Sequence, residues 1–462
     1  MSDSAQRNVV LAASTMASFL TPFMGSSINV ALPAVAREFS MSAVSLGWVA
    51  TAYILTAAMF LVPFGKLADI LGRKRVFAWG VGVYTLGCVC SALAFSAVSL
   101  ILFRVIQGIG GAMIFGTSVA ILTSVFPPGE RGKALGINTA AVYLGLSLGP
   151  ILGGFLTQQF GWRSIFLATI PLGVAVLILI LWKIKEEWAE AHGEQFDFAG
   201  AVIFGTALVS FMYGFSRLPS VLGAGLVLFG FLALAGFIKW EPRAATRLLD
   251  VKLFRDNRIF AFSNLAALIN YSATSAVSFL LSLYLQYVKG FSPQSAGLVL
   301  IAQPIVMALF SPLAGRLSDR IEPRIVASLG MSLSSAGLVL FAFLSEGTAS
   351  PYITLSLICL GFGFALFSSP NTNAIMGSVE KRFYGVASAT LGTMRLTGQM
   401  LSLGISMMIF SVVIGRVKIT PEYYPLFLRS AKIGFVVFAA LCVAGVFASL
   451  ARGNRPGSNL HI

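Results

Sequence analysis

Apolar runs about as long as a membrane-crossing helix follow one another along almost the whole chain, separated by short polar connections. A helix needs about 20 consecutive apolar residues to cross the hydrocarbon core of a bilayer. The pattern therefore predicts an all-α integral membrane protein. Its fourteen spans are predicted at residues 9–33, 43–64, 76–96, 98–126, 134–158, 164–182, 197–216, 219–238, 259–287, 293–315, 325–345, 352–378, 384–414 and 430–451.

The lengths of the connections divide these spans into groups of six, two and six. The two longest connections follow the sixth and eighth spans, at residues 183–196 and 239–258. The sequence thus predicts a six-helix bundle at 1–185, linkers with two inserted helices at 186–255, and a second six-helix bundle with a short tail at 256–462. The first long connection is rich in glutamate, and we expect it to be a solvated face.

The connection after the second span and the one after the tenth carry the same pattern. The first contains Gly65 and Asp69, the second contains Gly315 and Asp319, and basic residues follow each acid. This repeat indicates two homologous halves related by an axis along the membrane normal. In such folds the substrate path lies between the halves, near the middle of the membrane.

The composition excludes an ordinary soluble protein. The chain is 57% hydrophobic and 11% charged, with a mean hydropathy of +0.87, whereas about a quarter of the residues in soluble domains are charged. The net charge of +15 is spread over short connections and forms no single stripe, so we expect a lipid bilayer and no nucleic acid as partner. The four cysteines lie in apolar runs without metal-ligand neighbours, so no metal site or cofactor is expected.

The distribution of the 32 basic residues predicts the orientation of the chain in the membrane. Placing the N-terminus in the cytoplasm assigns twenty-two of them to cytoplasmic connections and eight to the other side. Because cytoplasmic loops carry the excess of Lys and Arg, we predict a multi-pass protein of the cytoplasmic membrane with both termini in the cytoplasm.

Acidic residues are absent from the interior of every predicted span, whereas two basic residues occur there. All seventeen Asp and Glu residues fall at the ends of runs or between them, and Arg104 and Arg395 fall within the fourth and thirteenth spans. A charge inside a bilayer is costly and marks a functional site by default. The two arginines are therefore the first functional candidates.

Two further patterns suggest moving parts. After the second span, Asp69 can accept a charge-assisted hydrogen bond from Arg73 or bind a helix N-terminus, although a basic loop that only sets topology is the alternative. In the fifth span Gly145, Gly149 and Gly153 lie on one helical face, where small residues allow two helices to pack closely. Ordinary packing and a movable hinge predict the same contact there.

These motifs resemble those of the major facilitator superfamily of transporters, and the six-two-six layout is similar to the fourteen-helix branch of its drug:proton antiporters. The resemblance covers essentially the whole length of the chain. The segments that carry it are 65–75, 102–112 and 145–154, with further matches at 29–33, 48–53, 162–163, 196–200 and 284–293.

The resemblance implies a secondary active exporter of the multidrug-resistance type rather than an enzyme. Such an antiporter moves a small amphipathic molecule by alternating access, with a proton as coupling ion, and works as a monomer. The residues marked for conformational change or coupling are Gly65, Asp69, Gly72, Arg73, Arg104, Gly145, Gly149, Pro150, Gly154, Gly315 and Asp319.

Arg104 is implicated by the resemblance in proton coupling, normally through an acid. Here Met24 and Thr51 occupy positions that are acidic in some relatives. Arg104 must therefore bind backbone carbonyls, water, an anionic group of the substrate or Asp69, and a purely structural role is the alternative.

The predicted substrate pocket is polar, aromatic and net positive. Alternatively, its polar groups only hold the helices together, and Arg395 binds carbonyls of a neighbouring broken helix instead of an anion. Its residues are Gln107, Asn270, Tyr271, Thr274, Gln303, Asn371, Arg395 and Gln399.

Two functions remain open for such a pocket. One is the export of a small amphipathic molecule, as in multidrug efflux. The other is export or facilitated diffusion of a neutral or anionic metabolite, lipid-like molecule or siderophore that is not coupled through an intramembrane carboxylate. An intramembrane hydrolase is not expected, because the spans contain no paired carboxylates, Ser/His dyad or metal-binding histidines.

The predicted topology can be tested by cysteine accessibility in a variant that lacks the four native cysteines. We expect a cysteine at Gly347 to react with a membrane-impermeant thiol reagent added outside, and a cysteine at Ser458 to stay protected until the membrane is opened. The reverse pattern would contradict cytoplasmic termini.

Overall fold

The computed structural model describes residues 3–189, 193–243, 248, 251–380 and 384–453, and in these residues it contains helices and turns but no strand. Fourteen helical segments within these described residues are long and apolar enough to cross a membrane. This confirms the all-α fold class and the predicted number of spans. Ser458, one of the two proposed labelling positions, lies outside the described residues.

The helices extend beyond the predicted apolar runs at many of their ends. In chain order they are α1 (Asp3–Phe39), α2 (Ala43–Leu71), α3 (Arg73–Ala92), α4 (Ala97–Val125), α5 (Pro128–Phe160), α6 (Arg163–Lys183), α7 (Phe198–Arg217), α8 (Val221–Trp240), α9 (Val251–Asp256), α10 (Arg258–Thr274), α11 (Val277–Leu283), α12 (Pro293–Leu300), α13 (Ala302–Arg320), α14 (Pro323–Ala342), α15 (Ser350–Gly377), α16 (Tyr384–Val413) and α17 (Tyr424–Leu450).

The helices pack as two groups with an added pair. In the first group α1 packs on α5, and α3 packs on α4 and α6, while in the second α14 packs on α15 and α17, and α10 packs on α16. The inserted helices α7 and α8 pack on each other, and α7 also contacts α2 and α16. The pair therefore touches both halves, and α8 remains largely exposed at the periphery, with 17% of its span buried.

An even number of spans places both described ends of the chain on one side, which we call the terminal face. The halves are in tight contact toward the other side, the opposite face. A methyl group built on Gly297 of α12 would lie 2.0 Å from the carbonyl oxygen of Pro150 in α5, and one on Gly154 would lie 2.5 Å from that of Pro293. The two helices therefore touch backbone to backbone.

Two predicted spans are broken, which the apolar pattern does not reveal. The ninth consists of α10, α11 and a π-helical turn at Tyr284–Val288, and the tenth consists of α12 and α13. At the first break the Ala276 N–H donates to the Ser402 hydroxyl oxygen of α16 at 2.9 Å. A broken helix is tolerated inside a membrane when neighbouring side chains bind the freed backbone groups.

The predicted close packing along α5 is present, and α1 is the partner helix. A methyl group on Gly145 would lie 2.6 Å from the Phe19 carbonyl oxygen, and one on Gly149 would lie 2.9 Å from that of Phe23. The missing side chains thus set the distance between α1 and α5. Pro150 lies within α5, which continues as one helix to Phe160.

We expect Gly145→Ala to destabilise the protein, since its methyl group has to push the α1 backbone away. Overpacking of this kind costs about 1–3 kcal/mol. Thermal unfolding in detergent would show a lower midpoint. Gly136→Ala on the same helix is the matched control, because no atom lies within 4 Å of its built methyl group. Equal midpoints for the two variants would contradict this packing.

Candidate functional site

The turn between α2 and α3 on the terminal face is held by an ion pair. Helix α2 runs through Leu71, so the motif that begins at Gly65 is mostly helical and the chain turns only at Gly72, where φ is +113°. Nε of Arg73 donates to Oδ1 of Asp69 at 2.8 Å. The predicted hydrogen bond is therefore present, and its conformational role stays a prediction.

The ion pair also reaches a third helix. Nη1 of Arg73 donates to the Ser124 hydroxyl of α4 at 2.5 Å. Only 9% of the Arg73 side chain is exposed, against 36% for Asp69. In the repeated motif of the second half, Gly315 and Asp319 lie within α13, and the Asp319 side chain lies outside the described part of the chain.

The connection after α6 docks on this turn instead of being a fully solvated face. The Glu187 carboxylate accepts a hydrogen bond from the Lys74 N–H at 2.8 Å, and the Trp188 carbonyl accepts one from the Arg73 N–H at 2.8 Å. A methyl group on Gly72 would lie 2.4 Å from Cδ of Glu187. The sequence analysis did not predict this contact. The opposite charges of two connections on the same face were the signal that could have revealed it.

Arg104 is enclosed within the first half, with 1% of its surface exposed. Nε donates to the Val49 carbonyl at 3.1 Å, Nη1 donates to the side-chain oxygen of Gln107, and the guanidinium carbon lies 4.6 Å from the centre of the Tyr53 ring. Of the four predicted kinds of partner, the structure shows a backbone carbonyl. Asp69 bonds to Arg73 instead.

Gln107 lies with Arg104 and not with the other predicted pocket residues. Its side-chain nitrogen donates to the Cys88 sulfur at 3.0 Å, between α4 and α3. Met24 and Thr51, at the positions that are acidic in some relatives, are fully buried. The Thr51 hydroxyl donates to the sulfur of Met407 in α16, across the contact between the halves.

Arg395 lies in an aromatic surrounding that includes residues of both halves. Its guanidinium carbon is 5.9 Å from the centre of the Tyr271 ring, which meets the Phe364 ring edge to face at 5.4 Å. Tyr143 of α5 packs against the apolar cluster that contains Tyr271 and Phe364. We call Tyr143, Tyr271, Phe364 and Arg395 the aromatic–arginine cluster. It joins α5 of the first half to α10, α15 and α16 of the second.

The remaining predicted pocket residues are dispersed over the second half. Asn270 is fully buried, and its amide nitrogen and oxygen have no hydrogen-bond partner among the described residues. Thr274 donates to the Asn270 carbonyl at 2.8 Å, and the Asn371 amide donates to the Ser263 carbonyl at 3.1 Å. Gln303 is buried in α13 and Gln399 is half-buried in α16.

The structure thus brings Tyr271 and Arg395 together, with Asn270 next in sequence to the tyrosine. Tyr143 and Phe364 were not predicted, because an aromatic residue in an apolar run looks the same whether it faces lipid or the partner half. The sequence position of Tyr143, close to the glycine face of α5, was the signal that could have identified it.

No carboxylate belongs to the aromatic–arginine cluster. Two described carboxylates near span ends are bound elsewhere: Glu38 accepts hydrogen bonds from Trp162 at 2.7 Å and Arg163 at 2.8 Å, and Asp69 pairs with Arg73. Glu241 is fully buried in a 3-10 turn that continues α8. The interior between the halves is therefore positive at Arg395.

The comparisons with known proteins agree with the fold and the motifs. The sequence model of the Major Facilitator Superfamily matches residues 15–240 and 263–460. The chain belongs to this superfamily. It is therefore a transporter and not an enzyme, as predicted.

Relatives of this superfamily member include transporters of different named substrates. It is 31% identical over 394 residues to the riboflavin transporter RibZ of Clostridioides difficile, covering 84% of this chain and 85% of that one. It is 32% identical over 384 residues to the multidrug resistance protein Stp of Mycobacterium tuberculosis, covering 82% and 71%. The resemblance to multidrug efflux proteins is therefore confirmed.

Solved structures of the superfamily share the fold. A bacterial homolog of the human lysosomal transporter Spinster, in an inward-facing and unoccupied conformation, matches with a TM-score of 0.70 and 18% identity over 97% of both chains. At this identity the likeness shows the fold alone.

The halves of this superfamily member are joined by hydrogen bonds toward the opposite face. The Ser282 hydroxyl donates to the Asn29 carbonyl at 2.7 Å, the Gln286 amide donates to the Val30 carbonyl at 2.8 Å, and the Ala43 N–H donates to the Val417 carbonyl at 3.0 Å. Together with the contact of α5 and α12, these bonds hold the halves together at that face.

We expect Asp69→Asn to lower the initial rate of transport of a fluorescent probe roughly two- to fivefold in reconstituted vesicles. The amide keeps a hydrogen-bond acceptor but removes the charge that holds Arg73 in the turn. The folded fraction, measured by size-exclusion chromatography, should not change.

Glu38→Gln is the matched control, because the Glu38 side chain is exposed to a similar degree (41%) and pairs with Arg163 away from the turn. A wild-type rate for Asp69→Asn, or an equal loss in both variants, would remove the conformational role of the Asp69–Arg73 pair.

Proposed function

We propose that this transporter is a secondary active exporter that moves a small, amphipathic, neutral or anionic molecule across the cytoplasmic membrane by alternating access. The observation that carries the proposal is the aromatic–arginine cluster, where both halves meet around one guanidinium and no carboxylate. In this proposal the chain works as a monomer with both termini in the cytoplasm.

The chemistry of the cluster favours a ligand with a flat apolar body and an electron-rich polar group. The rings of Tyr143, Tyr271 and Phe364 offer apolar contact and edge-to-face packing. The Arg395 guanidinium donates to carboxylate, phosphate or carbonyl oxygens. An organic cation buried beside it would add charge repulsion to its own desolvation cost.

The unpaired amide of Asn270 supports a ligand or bound water close to Tyr271. Leaving a buried amide without a partner costs about 1–3 kcal/mol. A molecule that binds between the halves and brings both a hydrogen-bond donor and an acceptor would recover that cost. We therefore include Asn270 in the proposed pocket, together with Thr274, whose hydroxyl bonds to its carbonyl.

Alternating access, as proposed here, is a rocking of the halves 1–185 and 256–462 against each other. Opening the opposite face requires α5 and α12 to part at Pro150, Gly154 and Gly297, where the backbones touch. The Asp69–Arg73 pair is on the terminal face and would change as the halves move. These positions support the conformational roles that we assign to the glycines and to the ion pair.

The second candidate function is transport of a neutral or anionic metabolite that is not coupled through an intramembrane carboxylate. Two observations favour it: the cluster contains no carboxylate, and one relative of similar length is named a riboflavin transporter. A proton can still be the coupling ion if it binds outside the cluster, and Asp69 is then the candidate on the terminal face.

We expect Arg395→Gln to raise the apparent KM for an anionic aromatic probe about tenfold in reconstituted vesicles, because a charge-assisted hydrogen bond contributes about 1.5–3 kcal/mol. Riboflavin, as the neutral aromatic probe, should change less. Arg395→Lys is the control that keeps the charge and loses the planar donor group, and it should lose less of the anion transport than Arg395→Gln does.

The same vesicles test the substrate class and the coupling. Rapid transport of a quaternary ammonium dye with no transport of anions or neutral aromatics would overturn the proposed class. Probe accumulation that follows an imposed pH gradient would support antiport with protons, and accumulation without any response to the gradient would favour the second candidate.

A further inference from the structure

An open cleft of about 420 Å³ lies on the opposite face, outside the space between the halves. Its walls are the turn between α7 and α8, the end of α16 and the segment that follows α16. The residues that line it are Arg217, Leu218, Pro219, Ser220, Ser411 and Arg416. The lining thus contains two guanidinium groups and no carboxylate.

The two arginines are held in place by groups that leave their charge uncompensated. Nε of Arg217 donates to the Tyr213 hydroxyl at 3.0 Å, and Nη2 of Arg416 donates to the Ser216 carbonyl at 3.0 Å. Neither forms an ion pair with a described residue. A guanidinium has five N–H donors, so both keep donors for a ligand.

Two further features of the cleft favour the binding of an anion. Helix α8, twenty residues long, begins at the cleft with Ser220 as its N-cap, so the positive end of its dipole points there. The Ser411 hydroxyl donates to the Leu218 carbonyl at 2.6 Å, which fixes the turn against α16. The cleft is therefore a preformed positive site and not a chance approach of two side chains.

The surroundings of the cleft are those of a lipid-facing surface. Val221 and Leu222 at the start of α8 are 91% and 60% exposed, and Val412 on the other wall is 58% exposed. Exposed apolar side chains next in sequence to the lining residues Ser220 and Ser411 match an amphiphile whose head is negative and whose tail is hydrocarbon.

We propose that this cleft binds the anionic headgroup of a phospholipid of the leaflet on the opposite face, with the phosphate between Arg217 and Arg416 and the acyl chains along α8 and α16. The chemistry recognised is a phosphate monoanion. The lipid would bridge the inserted pair to α16, a helix of the second half that also contacts α2 of the first half.

The test uses the full chain in a neutral detergent and native mass spectrometry with added phosphatidylglycerol or phosphatidylcholine. For the double variant R217Q/R416Q we expect the apparent affinity for the first phosphatidylglycerol to fall on the order of thirtyfold, and for R217Q alone about fivefold. Binding of phosphatidylcholine, which carries no net charge, should change less.

Arg429→Gln is the matched control, because Arg429 is an exposed arginine near the start of α17 on the same face. Equal phosphatidylglycerol binding by the wild type, the double variant and R217Q would overturn the proposal, as would an equal loss in R429Q. Displacement of the lipid by millimolar inorganic phosphate would show a site for free anions and would also overturn it. If R217Q/R416Q does not fold, R217Q decides, since Tyr213, the hydrogen-bond partner of Arg217, lies on the same helix.

Discussion

Inside the hydrocarbon of a membrane, every backbone amide, carbonyl and charge must find its partner within the protein, because no water is available there. This constraint explains why the described residues form helices and why their breaks are bridged. The Ala276 N–H, freed where α10 ends, is bound by Ser402 of α16. Arg104, which no acid accompanies, uses the Val49 carbonyl, the Gln107 side chain and the face of Tyr53.

Lipid also removes the hydrophobic effect as a force between helices, so the association of helices depends on how closely they pack. Small residues are therefore placed where helices meet, both within a group and between the two groups. Gly145 and Gly149 bring α5 against α1, and further along the same helix Gly154 and Pro150 bring it against α12. Helix α5 thus packs within its own half and against the other half. In the proposed rocking motion, a shift of α5 would change both contacts and would couple the packing of one half to the contact between the halves.

Features that depend on residues close together in the sequence were predictable, and features that depend on contacts between distant residues were not. The spans and the Asp69–Arg73 bond follow from local patterns, an apolar run and a spacing of four residues. The break near Ala276 did not follow, because the run stays apolar while a residue far along the chain binds the freed N–H. Glu187 was missed for the same reason. Of the aromatic–arginine cluster, Tyr271 and Arg395 were predicted, Tyr271 because its neighbours on α10 are polar. Tyr143 and Phe364 were not predicted, because the direction in which they face depends on the rotation of their helices in the bundle.

The two intramembrane arginines differ in how far their charge is already satisfied by the protein. Arg104 is enclosed by one half, and its backbone, amide and aromatic partners are all within that half. Arg395 is half-buried at the contact of the halves, and its nearest described aromatic partner is Tyr271. A cation–π contact satisfies a guanidinium less fully than hydrogen bonds to oxygen do. In the proposed pocket, the charge that a substrate would neutralise is therefore that of Arg395, beside aromatic residues from both halves.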